Sequence, residues 1–423
     1  MNVHVRPPRT LTAAEESILA DFERVVGSLP GNDAVTKVRR DAIAAFERDG
    51  LPNRKVEAWH YTDLRTALRE LPVREDEVVS PDIAALLDDG AVIHGRSGEV
   101  EGTLPAGIEI RSAAARMRDG TLFASPGKAW DTIGQLNAAF ANGGVTVDIA
   151  PDASVGKPVE LRLLAAGGQS HLRNVVSVGS RSSSTLIERH TDGGADAALA
   201  TIVTDVTVGE DAELLYVVVQ ERSEAGFDLG QINFGLGARS RLTLVMLQMG
   251  GKVARHEVNV DVLGEEADFQ LRGVNLLGGD TLTDVTMVVS HLVPNTTSEE
   301  VFRNVGTGRA RGVFQGQIRV AQVAQKTDAK MSCNTLLLSD DAEFAAKPEL
   351  EIFADDVACG HGATVDDLEP EQLFYLMSRG IPEKEARALL VKGFVDEMLE
   401  AVEDEALSDV LEARIDRWLE EHA

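Results

Sequence analysis

The sequence has little cysteine, few aromatic residues and no long hydrophobic run. Its 423 residues include two cysteines, Cys333 and Cys359. Two cysteines are too few to cross-link a chain of this length, so both are expected as free thiols in a reducing compartment. No segment approaches the roughly 18 apolar residues that cross a bilayer, and the first residues lack the apolar segment of an export signal. These absences predict a cytoplasmic protein that does not span a membrane.

Basic residues are also scarce. There are 41 Lys and Arg against 69 Asp and Glu, which gives a formal net charge of -28. The electrostatic field of a protein with this negative charge repels phosphate backbones and anionic lipid surfaces. Neither nucleic acid nor a membrane is therefore an expected partner. The chain also lacks the phosphate-binding pattern G-x-x-x-x-G-K-[ST] and the G-x-S-x-G elbow of serine hydrolases. It is therefore not expected to hydrolyse ATP by a P-loop or to act as such a hydrolase.

Short runs that alternate apolar and polar residues dominate the chain from about residue 143 to residue 357. Examples are VTVDIA, LLYVVVQ, RLTLVML and HEVNVDVLG, separated by Gly, Asn and Asp. This period of two with frequent turn residues predicts a long, mainly β body and excludes a doubly wound α/β domain. The pattern leaves a sandwich, a barrel and a solenoid open.

Helical spacing of apolar residues flanks the β body at both ends. Residues 12 to 49 predict two helices, with Thr12 as the first N-cap and Gly27 as a stop. Towards the C-terminus, Pro370 opens a helix that Gly380 closes, Pro382 opens a second, and a third follows. These C-terminal helices either pack on a core of their own or offer a docking face to another protein.

The chemistry that the residues suggest is concentrated at Cys359 and His361. Residues two apart on a strand point to the same face, so this thiol and imidazole could bind one iron or zinc ion. Two ligands do not complete a site, because structural metal sites usually have four. The alternative is a buried thiol and a hydrogen-bonded histidine, although Gly360 and Gly362 favour close approach by another group. Asp355 and Asp356 are interpreted as turn residues rather than as a carboxylate pair that acts on sugar.

Several segments resemble the SufB/SufD family of the SUF iron-sulfur assembly system. They are EAWHYTDL at 57 to 64, LNAAFANGGVTVDI at 136 to 149, HLVPNTTSEEVFRN at 291 to 304, GVFQGQIRVAQVAQKTDAKM at 312 to 331, and the whole stretch from 348 to 394. They occur in the order found in the family and extend over most of the chain. Gly362 in HGAT favours the SufD branch, because SufB proteins typically carry Glu at that position.

The resemblance implies a fold and a function. The expected fold is a right-handed parallel β-helix over residues 121–362, between an N-terminal helical and mixed domain (1–120) and a C-terminal helical domain (363–423). The expected function is that of a non-ATPase scaffold subunit, not an enzyme, that contributes to iron-sulfur cluster assembly and to iron acquisition.

The resemblance also implies partners, a cofactor and site residues. The partners would be a SufB-like subunit and a SufC-like ABC ATPase docked on the C-terminal helices, with a homodimer when the chain is alone. The cofactor would be a transient iron-sulfur cluster shared with SufB, with a reduced flavin as a further candidate in the complex. The metal-ligand candidates are His361, Cys359 and Cys333. Cys333 stands where SufB proteins place a cluster-associated cysteine, and is interpreted more readily as a small buried residue than as a third ligand.

Two other hypotheses remain beside the scaffold. One is a β-solenoid enzyme that acts on carbohydrate through carboxylates. The other is a stand-alone metal-binding protein, which would carry stoichiometric metal without any partner.

Overall fold

The strands of the β body stack into a two-sided parallel β-solenoid with helices at both ends, as expected for the fold class. This is a computed structural model, and it describes residues 10–74, 83–122, 130–165, 168–192 and 198–422. In chain order the strands of these residues are β1 (Ala91–His94), β2 (Val100–Glu101), β3 (Ile108–Ser112), β4 (Val145–Ile149), β5 (Val159–Leu164), β6 (Gln169–Val178), β7 (Ser183–Thr191), β8 (Leu199–Val208), β9 (Glu213–Arg222), β10 (Phe227–Leu236), β11 (Arg241–Gly250), β12 (Val253–Val262), β13 (Asp268–Leu277), β14 (Leu282–His291), β15 (Thr297–Gly306), β16 (Arg311–Val320), β17 (Asp328–Leu337), β18 (Glu343–Ile352) and β19 (Ala358–Asp366).

Successive strands alternate between two sheets. Sheet A contains β1, β2 and the odd strands from β5 to β19, whereas sheet B contains β3 and the even strands from β4 to β18. Within the stack each strand pairs in parallel with the strand two places along the chain, as β9 does with β11. One turn of the solenoid thus takes one strand from each sheet, and stacked side chains such as Asn275 and Asn304 are 29 residues apart.

The two ends of the stack differ. At the N-terminal end, β2 pairs antiparallel with β1 and β3 pairs antiparallel with β4. At the C-terminal end, β18 and β19 are the last strands of sheets B and A, and each pairs with one neighbour among the described strands. One edge of each of these two strands is therefore open.

A left-handed residue recurs at one corner of the solenoid. It stands two positions before each odd strand from β7 to β17, with φ between 54° and 60° in most turns and 65° at Lys326. The residues are Arg181, Asp211, Arg239, Glu266, Asn295 and Lys326. None of these residues is glycine. The tight corner of the solenoid, and not the flexibility of a glycine, therefore holds the left-handed backbone conformation. This explains why the turns repeat without a repeated sequence motif.

Apolar side chains fill the space between the sheets. Each strand directs alternate residues inward, such as Leu214, Tyr216 and Val218 of β9, to form one continuous core. The other residues of the same strand point outward, and many of these are also apolar. Both faces are buried because helices cover the outer surfaces, which explains near-continuous apolar runs such as LLYVVVQ.

The helices of the described residues are α1 (Ala13–Val25), α2 (Asp33–Asp49), α3 (Leu64–Ala67), α4 (Ala113–Asp119), α5 (Thr132–Phe140), α6 (Pro370–Ser378), α7 (Glu383–Asp396) and α8 (Glu405–His422). The predicted N-cap of α1 is confirmed, because Thr12 and Glu15 form a reciprocal capping box. The three predicted C-terminal helices are confirmed as α6, α7 and α8. No helix in the described part of the chain is long and apolar enough to cross a membrane.

Helices from the two ends of the chain cover opposite faces of the solenoid. The N-terminal helices α1, α2 and α5 pack on the outer face of sheet B, against residues such as Val203 and Leu229. The C-terminal helices α7 and α8 pack on the outer face of sheet A through Val391, Leu411 and Trp418. By contrast, α6 has no buried residue. The boundaries predicted for the three domains stay predictions.

Candidate functional site

The candidate ligands lie at the open C-terminal end of the solenoid. Cys359 and His361 are on β19, the last strand of sheet A, which pairs with β17 alone among the described strands. Cys333 lies on β17, opposite Ala363 of β19. The structure therefore places all three candidates on two neighbouring strands, although 26 residues of sequence separate the two cysteines.

His361 is exposed at this end. A Cβ atom added to either flanking glycine, Gly360 or Gly362, would meet no other atom within 4 Å. The chain's own packing thus does not require glycine at these positions. The open space leaves the imidazole accessible to a group from outside the chain.

The two thiols have different environments. Cys359 is half-buried and packs against the interior core, whereas Cys333 is fully buried and its Sγ accepts a hydrogen bond of 3.3 Å from Asn304 Nδ2. Burial raises the pKa of the Cys333 thiol to about 12. Burial, together with the nearby carboxylates of Asp328 and Glu300, also raises the pKa of Cys359. Both thiols are therefore protonated near neutral pH, and metal binding would have to displace the proton.

The three candidate ligands share one face without forming a compact site. Cys359 and His361 are two residues apart on β19, and Cys333 lies diagonally across from His361 at a Cα separation of roughly 8 Å by ordinary sheet spacing. In the described part of the chain, they do not form a group of ligand atoms within 4.8 Å of one another. The arrangement is that of an incomplete site, open on the side where a further strand could add.

A buried carboxyl group lies two strands inward from His361. In the register of sheet A, Glu300 of β15 stands beside Met331 of β17, and Met331 stands beside His361. Burial raises the pKa of Glu300 to about 8, and neither carboxyl oxygen has a hydrogen-bond partner among the described residues. Sequence reasoning missed Glu300, because it is related to His361 only through two successive steps between stacked strands, from Glu300 to Met331 and from Met331 to His361.

The two adjacent aspartates at the end of β18 are turn residues, as predicted. Both are exposed, in the bend between β18 and β19. The Asp356 carboxylate forms an ion pair with Lys326, and the Asp356 amide donates to Gln325 Oε1 at 2.9 Å. These contacts give no support to a carboxylate pair that acts on sugar.

A second accessible surface lies on α6, directly after β19. Phe374 is 74% exposed, Tyr375 56% and Met377 42%, and Leu389 of the following helix is 53% exposed. A shallow cleft of about 450 Å³ runs along this helix beside Phe374 and Tyr375. The sequence had predicted the helix, but it could not tell which residues face solvent and which face the sheet.

Comparisons with known proteins agree with this architecture. Residues 162–394 match the SUF system FeS cluster assembly SufBD core domain, and residues 28–70 match the SufBD protein N-terminal region. The chain is 27% identical to the iron-sulfur cluster assembly protein SufD of Escherichia coli, over 88% of this chain and 90% of that protein. It is also 27% identical to an iron-sulfur cluster assembly SufBD family protein of Synechocystis, over 87% and 90% of the two chains.

A plant protein matches as well. Chloroplastic protein ABCI7 of Arabidopsis thaliana is 33% identical over 49% of this chain and 44% of its own length. The core match alone spans more than half of the chain and contains most of the solenoid together with Cys333, Cys359 and His361. The chain therefore belongs to the SufBD family of the SUF system for iron-sulfur cluster assembly.

Proposed function

We propose that this chain is a non-ATPase scaffold subunit of a SufBCD-type complex in the cytoplasm, which helps to build an iron-sulfur cluster at its interface with a SufB-like subunit. The observation that carries the proposal is the position of His361, exposed on the last strand of an open sheet and next to Cys359. Together with Cys333 behind them, these residues supply imidazole and thiolate, which are ligands that suit iron.

The site needs ligands from a second chain. His361 and Cys359 leave a metal or cluster short of the four ligands that such sites usually have. The thiols are protonated in the isolated chain, so it has little tendency to hold iron there without further ligands. We therefore expect the cluster to be transient and shared between the two subunits.

The open strand edge offers a way for the partner to bind. β19 presents unpaired backbone groups along one edge, and an added strand could pair with them. A SufB-like subunit of the same fold has an equivalent end, and joining the two ends would bring its ligands towards His361. In the isolated chain the same edge would support a homodimer.

The C-terminal helices supply the proposed contact with the ATPase. Exposed Phe374 and Tyr375 on α6 form an apolar surface that the chain's own fold leaves uncovered. A SufC-like ABC ATPase docked there would hydrolyse ATP, and its movement would reach β19 through the short connection between β19 and α6. The proposal also includes a contribution to iron acquisition and a reduced flavin in the complex, both on the basis of family resemblance.

The decisive experiment replaces His361 in the assembled complex. His361→Ala, coexpressed with SufB-like and SufC-like subunits, should assemble normally, because an exposed imidazole contributes little to folding. Anaerobic reconstitution should then yield little or no cluster, measured by iron and sulfide content and by visible absorption. His60→Ala, at another exposed histidine, is the matched control and should retain the wild-type yield.

Three results would count against this function. A normal cluster yield in His361→Ala would remove His361 from the site. Failure to co-purify an ABC-type ATPase would contradict the complex, and stoichiometric metal at His361 in the isolated chain would favour a stand-alone metal-binding protein. Cys333→Ala and Cys359→Ala, made separately in the same assay, show which thiol takes part.

A further inference from the structure

A second group of metal-ligating side chains lies inside the solenoid, away from the open end. It consists of His190 at the end of β7, Asp228 at the start of β10 and His256 on β12. All three are fully buried, and each offers a ligand atom within 4.8 Å of the others. Among the described residues, this is where three such side chains converge.

The distances between the candidate ligand atoms suit a small metal ion. His190 Nδ1 lies 2.8 Å from Asp228 Oδ2, and His256 Nε2 lies 3.5 Å from the same oxygen. Ligand atoms about 2.0–2.1 Å from a tetrahedral zinc are separated by roughly 3.3 Å. Small side-chain movements would therefore bring these atoms to coordination distance of a common centre.

The hydrogen bond on the far side of His190 is of the kind seen around metal-bound histidine. His190 Nε2 is 2.7 Å from Glu188 Oε1, which leaves Nδ1 directed towards Asp228 and the candidate centre. Glu188 is itself held by Thr204 Oγ1 at 2.9 Å and by the Tyr216 hydroxyl. A carboxylate that fixes the ring and tautomer of a ligating histidine is a common feature of metal sites.

His256 is a buried histidine whose ring nitrogens have no hydrogen bonds within the described part of the chain, as expected if a ligand belongs there. It is 1% exposed, and neither ring nitrogen makes a hydrogen bond to the described residues. A buried polar group without a partner carries a substantial desolvation cost. The ring fits only because residue 230 is glycine, since a Cβ there would lie 2.4 Å from His256 Cδ2. The fold thus makes room for an imidazole whose nitrogen atoms lack hydrogen bonds.

The electrostatic environment accommodates added positive charge. Two buried carboxylates, Glu188 and Asp228, contact His190 from either side, and the Arg222 Nη2 is 3.5 Å from Asp228 Oδ1. A divalent ion here would add positive charge beside these two carboxylates.

We propose that His190 Nδ1, Asp228 Oδ2 and His256 Nε2 bind one divalent transition-metal ion of the Fe²⁺ or Zn²⁺ class. Two imidazoles and a carboxylate are a ligand set that both ions use, with a further coordination position left for water. The site joins strands from both sheets, so a bound ion would also clamp several turns together. Arg222, which contacts Asp228, also lines a cleft of about 270 Å³ between the solenoid and α8.

This site is independent of the proposed function at His361. Its strands lie in the middle of the solenoid, whereas His361 and Cys359 are on the terminal strand of sheet A. The two proposals can therefore fail separately. The test uses the full chain carrying Cys359→Ala and His361→Ala, so that a metal at the open end does not contribute.

Co²⁺ is the probe, because its visible absorption reports geometry and ligand type, with Zn²⁺ and Fe²⁺ as competitors. The metal-free chain should bind one Co²⁺ without the intense near-ultraviolet absorption of a thiolate ligand, and Zn²⁺ should displace it. His256→Gln should weaken binding by about 100-fold or more. The control His171→Gln changes another buried histidine, one that contacts Thr201 instead, and should leave affinity unchanged.

A second measurement does not depend on the folding of the His256 variant. X-ray absorption of the chain carrying Cys359→Ala and His361→Ala, loaded with one equivalent of Zn²⁺, should show nitrogen and oxygen ligands only. Sulfur in the first coordination shell, absence of stoichiometric binding, or equal affinity in His256→Gln would each overturn the proposal. The cluster would then be a buried ionic network without a metal.

Discussion

At the scale of single residues, the open end of the solenoid combines an exposed imidazole with thiols that the fold keeps protonated. His361 is exposed, Cys359 is half-buried, and Cys333 is fully buried beside Asn304. Accessibility thus decreases from His361 to Cys333 while all three remain on neighbouring strands. An ion or cluster that reaches this end from a partner would meet His361 first.

Glu300 provides a residue-scale prediction about pH. The pKa of its carboxyl is 4.5 without the fold and about 8 within it, because burial disfavours the charged form. The stabilisation by neutral Glu300 is fully present below about pH 4.5 and is lost as pH rises through about 8. The free energy of unfolding of Glu300→Gln, relative to that of wild type, should therefore increase as pH rises over this window. Each unit of pKa difference corresponds to about 1.4 kcal/mol, so the full increase should reach several kcal/mol.

Urea denaturation at pH 5, 7 and 8.5 measures this difference. The control Glu343→Gln changes an exposed glutamate at the start of β18, and should show the same pH dependence as wild type. A constant difference between Glu300→Gln and wild type across the three pH values would show that Glu300 is ionised in the fold.

At the scale of elements, the C-terminal helices divide into two kinds. Helices α7 and α8 bury Val391, Leu411 and Trp418 on the outer face of sheet A, whereas α6 has no buried residue. Deleting the whole helical segment would therefore uncover the sheet as well as remove a docking surface. Substitution of exposed residues on α6 separates these two effects.

Phe374→Asp tests the role of α6 in binding the ATPase. Phe374 is 74% exposed, so the substitution should leave the stability of the chain within about 0.5 kcal/mol of wild type. If Phe374 is an anchor of the interface, affinity for the SufC-like ATPase should fall by about 30-fold, equivalent to about 2 kcal/mol. Titration calorimetry with the two purified proteins gives both the affinity and the stoichiometry.

Val323→Asp is the matched control for this charge insertion. Val323 is 67% exposed and lies on a turn of the solenoid, away from α6. The ATPase should bind this variant as tightly as wild type. Equal loss of affinity in both variants would indicate a non-specific effect of added charge, and no loss in Phe374→Asp would place the contact elsewhere.

At the scale of the whole molecule, the two ends of the solenoid present different edge strands. The terminal strands at the N-terminal end, β2 and β3, are antiparallel to their neighbours and only 2 and 5 residues long, whereas β18 and β19 at the C-terminal end are parallel to theirs and 10 and 9 residues long. An open edge is a template for pairing with another chain. The longer edge strands thus favour association at the end that contains His361.

Gly362→Lys tests whether the chain associates through the edge of β19. A side chain at residue 362 would meet no atom of the chain within 4 Å, so the lysine should not disturb the fold. Its charge on the edge strand should oppose strand pairing, so self-association of the isolated chain should weaken by at least about 10-fold. Sedimentation velocity over a concentration series measures the change, with Gly393→Lys on α7 as an equally unobstructed control.

Unchanged self-association in Gly362→Lys would show that the isolated chain does not pair through this edge. A monomeric wild-type chain at all concentrations would remove the homodimer and leave the partner subunit as the occupant of the edge. In that case Gly362→Lys should still impair assembly with the SufB-like subunit.

Local features of the sequence determined the type and order of the elements. The period of two predicted strands, and Thr12, Pro370 and Gly380 marked helix ends correctly, because capping and alternation depend on residues a few positions apart. Family motifs selected the solenoid from the β folds that alternation left open. The spacing of two residues on a strand pointed to Cys359 and His361 as a pair, and the family resemblance singled out His361.

Only the tertiary structure decided which distant residues meet. Stacked strands are about 30 residues apart, and no local pattern gives their register, so the row from Glu300 through Met331 to His361 was not predictable. The same holds for His190, Asp228 and His256, which come from three strands in two sheets. The exposure of α6 likewise depended on which helices pack on the outer face of sheet A. Residues near in sequence determine the elements, whereas packing over long separations determines the sites.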